Sequence, residues 1–218
     1  MKVASLFAGI GGFDLGLQRA GMSIELVCEI DPACQDVLRR HFPEARLVDD
    51  VREVHIEPGS VDLICGGFPC QDVSRAGARR GLDGERSGLW FDFLRVCVDS
   101  RPRWVVVENV PGLLSSHGGR DFARVLQGLV ELGYSVCWRI LDSQYFGVPQ
   151  RRRRLYLVAH LGAGCAEQVL FEPHGLRRNA AAVRPAGRRT AVSFATDSGG
   201  HCAGLMMAVR PPCYWDGG

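Results

Sequence analysis

The sequence predicts an α/β domain built on a doubly wound, mostly parallel sheet. Three observations predict it. Short apolar runs alternate with helix-spaced segments through residues 1–160. Trp104–Val107 is apolar throughout, as suits a parallel strand covered on both faces. A glycine-rich loop, Ala8-Gly-Ile-Gly-Gly, separates the first apolar run from the first helix-spaced segment.

The elements follow in order. Val3–Phe7 is a short apolar strand, and Phe13–Ala20 has helical spacing stopped by Gly21. Ile24–Cys28 is a second strand ending at Glu29-Ile30-Asp31. Pro32, suited to a first helical turn, opens a helix to about His41. Arg46–Val48 is a weak strand ending at Asp49-Asp50, and Val61–Cys65 is a fourth strand. Gly66–Ser87 has no hydrophobic period. A loop of that length inside a compact domain is usually functional. Gly88–Val98 and Phe122–Leu132 are helices around the strand Trp104–Val107. Tyr134–Leu141 and Leu155–Ala159 are two final strands. Beyond His160 Gly, Ala, Arg and Pro dominate and no strand can be placed. The expected division is a domain at 1–160 and a tail at 161–218.

With 218 residues, 46% of them hydrophobic, the chain can bury a sizeable core. The net charge of +2 argues for no partner by itself. Of 26 basic residues only Lys2 is a lysine. Arginine's planar fork suits phosphates and base edges, although coding bias gives the same composition. The nine cysteines are odd in number and none forms CxxC, which argues for reduced thiols in the cytoplasm, with no disulfide framework and no metal site. No apolar run nears membrane-spanning length.

Several stretches carry chemistry. Cys70 follows Gly66-Gly-Phe-Pro69 at the end of an apolar strand, where a stiff turn presents a nucleophile. An isolated cysteine would more simply be a small buried residue. The loop Phe7-Ala8-Gly9-Ile10-Gly11-Gly12 lets backbone approach a ligand at a helix start. Glu29, ending the next strand, is placed to accept from ribose hydroxyls. The spacing is not GxGxxG, which favours an adenosine cofactor other than NAD or FAD. Asp50 ends the third strand, where a carboxylate could accept an adenine amino group, and Asp49 competes for that place. Glu108 closes an apolar run, so a raised pKa or a pairing with arginine is expected. Along an extended Arg151–Arg154, Arg152 and Arg154 share one side.

In order and content these pieces resemble the C5-cytosine DNA methyltransferases. Phe7–Gly12 is similar to that family's cofactor loop. Glu29 and Asp50 match its two cofactor carboxylates, with Asp49 where a glycine is usual. Pro69-Cys70-Gln71 resembles the nucleophile motif, Glu108-Asn109-Val110 the proton-handling motif, and Gln150–Arg154 the motif QxRxR. The resemblance covers about residues 1–160 and implies a Rossmann-like methyltransferase fold binding S-adenosylmethionine. Implied cofactor contacts are Phe7, Ala8, Gly9, Gly11, Gly12, Glu29, Ile30, Asp50, Val51, Pro69 and Leu89. It also implies that Cys70 adds to C6 of an extruded cytosine, that Glu108 donates to N3, and that Arg152 holds O2 while Arg154 braces the site. The implied partner is double-stranded DNA, with Gln71, Ser74, Arg75, Arg79 and Arg80 as DNA contacts in the loop. The family's target-recognition domain and late motif have no match after Ala159. The expectation is therefore a truncated, split or degenerate chain, with a second polypeptide supplying recognition. The alternatives are a tRNA cytosine methyltransferase and a non-catalytic or partner-dependent subunit.

Overall fold

The structure, a computed structural model, describes residues 1–69, 88–162 and 166–171. A seven-stranded sheet runs through the middle in the order β3-β2-β1-β4-β5-β7-β6. Its strands are β1 Lys2–Leu6, β2 Ser23–Cys28, β3 Arg46–Val48, β4 Leu63–Gly66, β5 Trp104–Asn109, β6 Tyr134–Asp142 and β7 Arg153–Leu161. β1 to β5 pair in parallel. β7 runs antiparallel to both its neighbours, β5 and β6. The mostly parallel sheet is thus as expected, and the one reversed strand lies inside it.

The helices are α1 Gly12–Arg19, α2 Pro32–His41, α3 Leu89–Ser100, α4 Arg120–Glu131 and α5 Ala166–Leu170. Side chains of the central strands alternate between two apolar layers. Ala4, Leu6, Ile64, Val105 and Val107 pack with Trp90 and Phe93 of α3 and Phe122, Val125 and Leu129 of α4. Val3, Leu63 and Cys65 join Leu38 and Phe42, with Phe13 and Leu17 of α1 beside them. Both faces of the sheet are covered, which is why its strands read as continuous apolar runs. α2 starts as its sequence dictates: Asp31 accepts from the Ala33 N–H at 2.8 Å, Pro32 occupies the first turn, and Arg39, Arg40 and His41 close the last.

Element bounds shift in detail. β4 begins at Leu63, two residues past Val61, and β7 begins at Arg153, inside the arginine run. Short 3-10 turns at Val51–Glu53 and Ser143–Phe146, and the helix α5, had no periodicity to announce them. α5 packs beside β6 and β7: its Ala166 is buried with Cys137 and Val158.

The topology decides where chemistry can sit. β1 lies between β2 and β4, so connections diverge on either side of it. In open α/β sheets that point opens a crevice at the carboxyl ends of the strands. Phe7, Glu29, Asp50, Gly67 and Asn109 all stand at those ends. Because β7 is reversed, its beginning lies at the same edge, with Leu155 opposite Asn109.

Candidate active site

The first corner of the site is the turn after β1. Phe7 sits at φ 57°, a left-handed conformation uncommon for a bulky residue and a mark of local strain. The Ala8 N–H donates to the Cys28 carbonyl at 3.0 Å, tying the loop to the end of β2. Gly9 is also left-handed, and a Cβ added there would meet nothing within 4 Å, so the loop borders open space. Its N–H donates to Glu29 Oε2 at 2.7 Å, while Glu29 Oε1 accepts from the Asp31 N–H at 2.9 Å. Gly11 and Gly12 then turn the chain into α1. Ile30, next to Glu29, is 68% exposed, an apolar side chain left uncovered beside a carboxylate.

The second corner is the end of β3. The Gln35 amide reaches from α2 to donate to the Glu29 carbonyl at 2.7 Å and to Asp49 Oδ1 at 3.3 Å. Asp49 is therefore held from below. Asp50 caps the 3-10 turn, accepting from the Arg52 N–H at 2.9 Å, and pairs with the Arg52 guanidinium at 2.7 Å. That arginine lowers the Asp50 carboxyl from its ordinary value. Val51 is buried beside it.

The third corner joins β4, β5 and β7. Arg154 Nε donates to Glu108 Oε1 at 2.8 Å, and Arg152 Nη2 stands 3.9 Å from the same oxygen. The two arginines share one side of the strand, as the extended spacing predicts. The Arg152 side chain is 52% exposed and that of Arg154 only 23%, so Arg154 supports Glu108 from within while Arg152 reaches outward. Of the two expectations for Glu108, the pairing with arginine is the one the geometry displays. Gly67 packs directly on this group: a Cβ there would lie 2.9 Å from Glu108 Oε2. Asn109, buried, donates to the Phe68 carbonyl at 3.3 Å. The exits of β4 and β5 are thus stapled together just ahead of Pro69.

Cys70, Gln71, Ser74, Arg75, Arg79 and Arg80 lie outside the described residues, as does the stretch 172–218. The segments flanking 70–87 are anchored in one aromatic stack, Phe68 on Trp90 at 5.1 Å and Trp90 on Phe93 at 5.4 Å. Leu89, partly buried, packs against the same core. The described cysteines, Cys28, Cys34, Cys65, Cys97 and Cys137, are all free. Burial pushes each of their thiols up, to about 12 for Cys28 and Cys137. None of the five is poised as a thiolate. Among the described residues no cluster of His, Cys, Asp and Glu could hold a metal ion, and no helix is long and apolar enough to cross a membrane.

Sequence reasoning missed Gln35, Arg52, Asn109 as a staple, and Asp14. Asp14 is fully buried in the first turn of α1, and burial raises its carboxyl pKa while the Ser5 hydroxyl pulls the other way. Asn109 alone had a signal, its place in the Glu108-Asn109-Val110 motif. The others act through contacts that no local pattern encodes.

Comparison with known proteins bears on this arrangement. A family model described as C-5 cytosine-specific DNA methylase matches residues 1–170. The type II methyltransferase M2.BsuMI of Bacillus subtilis (strain 168) is 41% identical over 178 residues, covering 80% of this chain and 46% of that protein. The type II methyltransferase M.Eco47II of Escherichia coli is 40% identical over 161 residues, covering 72% and 39%. The chain spans about half the length of these curated relatives, or less. The crystal structure of the S. pombe Dnmt2 methyltransferase superposes with a TM-score of 0.60 at 23% identity, over 75% of this chain and 50% of that one, a likeness of fold alone. The strand order, the carboxylates at the strand ends and the arginine-held Glu108 all fall inside the matched stretch, and this chain is a member of the C-5 cytosine-specific DNA methylase family.

Proposed function

We propose that the chain is the catalytic part of an S-adenosylmethionine-dependent methyltransferase acting on C5 of cytosine in double-stranded DNA. One observation carries the reading. Glu108 is held by Arg154 and overlooked by Arg152, and it touches the Gly67–Phe68 exit that leads into Cys70. An acid held by two guanidiniums at one sheet edge, with a cysteine three residues past Gly67 in the sequence, suits a pyrimidine ring that must be attacked and have its charge drained.

The residues present fit the cofactor. Gly9 opens onto free space, Glu29 stands at the end of β2 with one oxygen on the Gly9 N–H, and Ile30 offers an apolar surface beside it. Glu29 would bind the ribose hydroxyls, Asp50 and Val51 the adenine, Phe7–Gly12 the methionine end, and Pro69 and Leu89 the reacting side. The bound cofactor supplies an electrophilic methyl group on a sulfonium.

The chain's own residues do the rest. The target cytosine leaves the duplex, because C5 and C6 are shielded within the stack. The Cys70 thiolate bonds to C6, Glu108 gives a proton to N3, and Arg152 holds O2 with Arg154 bracing Glu108. C5 then carries the displaced electron pair and takes the methyl group. A base takes the C5 proton, the C5–C6 double bond re-forms as the C6–sulfur bond breaks to return the Cys70 thiolate, and N3 gives its proton back to Glu108. Gln71, Ser74, Arg75, Arg79 and Arg80 would contact the DNA around the extruded base. In this reading the first 160 residues form the catalytic domain, 161–218 begin the recognition region, and a second polypeptide can complete it. The free thiols of the described cysteines suit work in the cytoplasm.

The test is trapping. The chain is incubated with S-adenosylmethionine and duplex DNA carrying 5-fluorocytosine, with tRNA as a parallel substrate and with or without the product of a neighbouring reading frame. A stable adduct on DNA, lost in Cys70→Ser, is expected. An adduct on tRNA only assigns the RNA enzyme, and no adduct under any condition removes the catalytic reading.

A further inference from the structure

Arg95 lies on α3, the helix that begins at Leu89. Its guanidinium donates to three backbone carbonyls far upstream: Nη1 to Val54 at 3.1 Å, and Nη2 to Val51 at 2.8 Å and Arg52 at 3.3 Å. Asp99, one helical turn on, accepts from Nη1 at 3.2 Å and holds the side chain in place. The carbonyls belong to the 3-10 turn that hangs from Asp50. Besides the Asp50 cap on the Arg52 N–H, the turn's own hydrogen bonds among the described residues are two: Glu53 N–H to the Asp50 carbonyl at 3.0 Å, and Val54 N–H to the Val51 carbonyl at 3.2 Å. A charged donor on a packed helix therefore supplies what the turn lacks. The fork matters, because the two terminal nitrogens serve carbonyls on opposite ends of the turn, and one ammonium cannot span both.

We infer that Arg95 is a positioning residue of the cofactor site. By clamping the 51–54 backbone it fixes where Asp50 and Val51 face the adenine end. The inference rests on the cofactor reading proposed above, and it adds a residue that touches neither cofactor nor substrate.

The test uses the full chain with Arg95→Gln and Arg95→Lys, measuring S-adenosylmethionine affinity by calorimetry, amide exchange at Glu53 and Val54, and melting temperature. Arg95→Gln should weaken binding about 10-fold and speed exchange at both amides about 10-fold. Arg95→Lys, which keeps one donor, should fall between it and the wild type. Asp50→Ala with Arg95→Gln should bind no more weakly than Asp50→Ala alone, because the clamp acts through that segment. Unchanged affinity in Arg95→Gln, or additive losses in the double variant, overturns the positioning role while leaving the cofactor reading intact. Should the wild-type chain itself fail to bind S-adenosylmethionine, the cofactor reading falls and this role falls with it. Should Arg95→Gln not fold, Arg95→Lys decides on the same readouts.

Discussion

Arg154 Nε stands 2.8 Å from Glu108 Oε1, across the junction of a parallel strand and a reversed one. The contact exists because β7 enters the sheet beside β5 in the opposite direction. The start of β7 thereby meets the end of β5, and residues 46 positions apart in sequence share one edge. The pair is partly buried, so water screens it less than a surface bridge.

Arg154→Ala should therefore leave Glu108 unsupported. We expect adduct formation to slow by about 100-fold, the range seen when one aligned donor is removed from a reacting site. Cofactor affinity should stay within about 2-fold, since among the described residues this arginine's hydrogen bonds go to Glu108 and the Arg153 carbonyl. Adduct kinetics and calorimetry on the same preparation check both halves. A variant that loses cofactor affinity as strongly as rate would show Arg154 to be a general structural support.

Among the described residues the Glu29 carboxylate accepts from the Gly9 and Asp31 N–H groups. Glu29→Ala thus removes a ribose acceptor and also loosens the glycine loop. Each hydrogen bond to a charged group is worth about 1.5–3 kcal/mol, so S-adenosylmethionine affinity should drop about 10- to 100-fold. Glu29→Gln retains an acceptor for one N–H and should lose less. Equal affinity in Glu29→Ala and wild type, by calorimetry, would remove Glu29 from the cofactor site.

Gly67 is constrained by proximity to Glu108. A methyl group there would lie 2.9 Å from Glu108 Oε2 and 3.3 Å from the Glu108 carbonyl, and the backbone carbonyl cannot step aside. Gly67→Ala should push the carboxylate away from the Phe68–Cys70 exit. A shift of that size at a reacting centre costs about 100-fold in rate. The melting temperature should fall by only a few degrees, because the closest contact, at 2.9 Å, is with the far end of the Glu108 side chain. Normal adduct formation in Gly67→Ala would mean that the carboxylate does not need this position.

The alternation of apolar runs was enough to read the strands and helices, because a two-faced sheet leaves every central strand apolar on both sides. Arg152 and Arg154 were placed on one side by nothing more than the period of an extended chain, and the structure agrees. The reversal of β7 was not legible, since an apolar run carries no direction. Nor were the turn at Val51–Glu53 and the helix Ala166–Leu170, each too short to show a period. Gln35 and Arg95 escaped for a different reason. Their partners, Asp49 for the one and Val51, Arg52 and Val54 for the other, lie up to 44 positions away, and only the folded chain brings them together. The site's acids and glycines were legible because their roles demand those residue types. The residues that hold them are ordinary polar side chains.

Asp14 gives the last prediction. It is fully buried under the glycine loop in the first turn of α1, near Ser5 and Cys65, and burial raises its carboxyl above the usual value of 3.8. The sign follows from linkage. A carboxyl whose folded pKa is raised holds its proton more tightly in the folded chain than in the unfolded one. Its contribution to stability is complete below the unfolded value and is lost as pH rises through the folded one. At pH 7.5 the buried carboxylate is therefore a cost. Asp14→Asn keeps the size but removes the charge. The variant should be more stable than wild type at pH 7.5, each kcal/mol gained raising the melting temperature by about 2–4 °C in a chain of this size. The gain should shrink as pH falls through the raised folded value, because wild-type Asp14 then takes up its proton and the two side chains become alike in charge. Urea midpoints at pH 4.5 and 7.5 decide the matter: a gain that is the same at both would show that the Asp14 charge is not what costs stability, and a loss at 7.5 that disappears at 4.5 would show that the charge supports the fold.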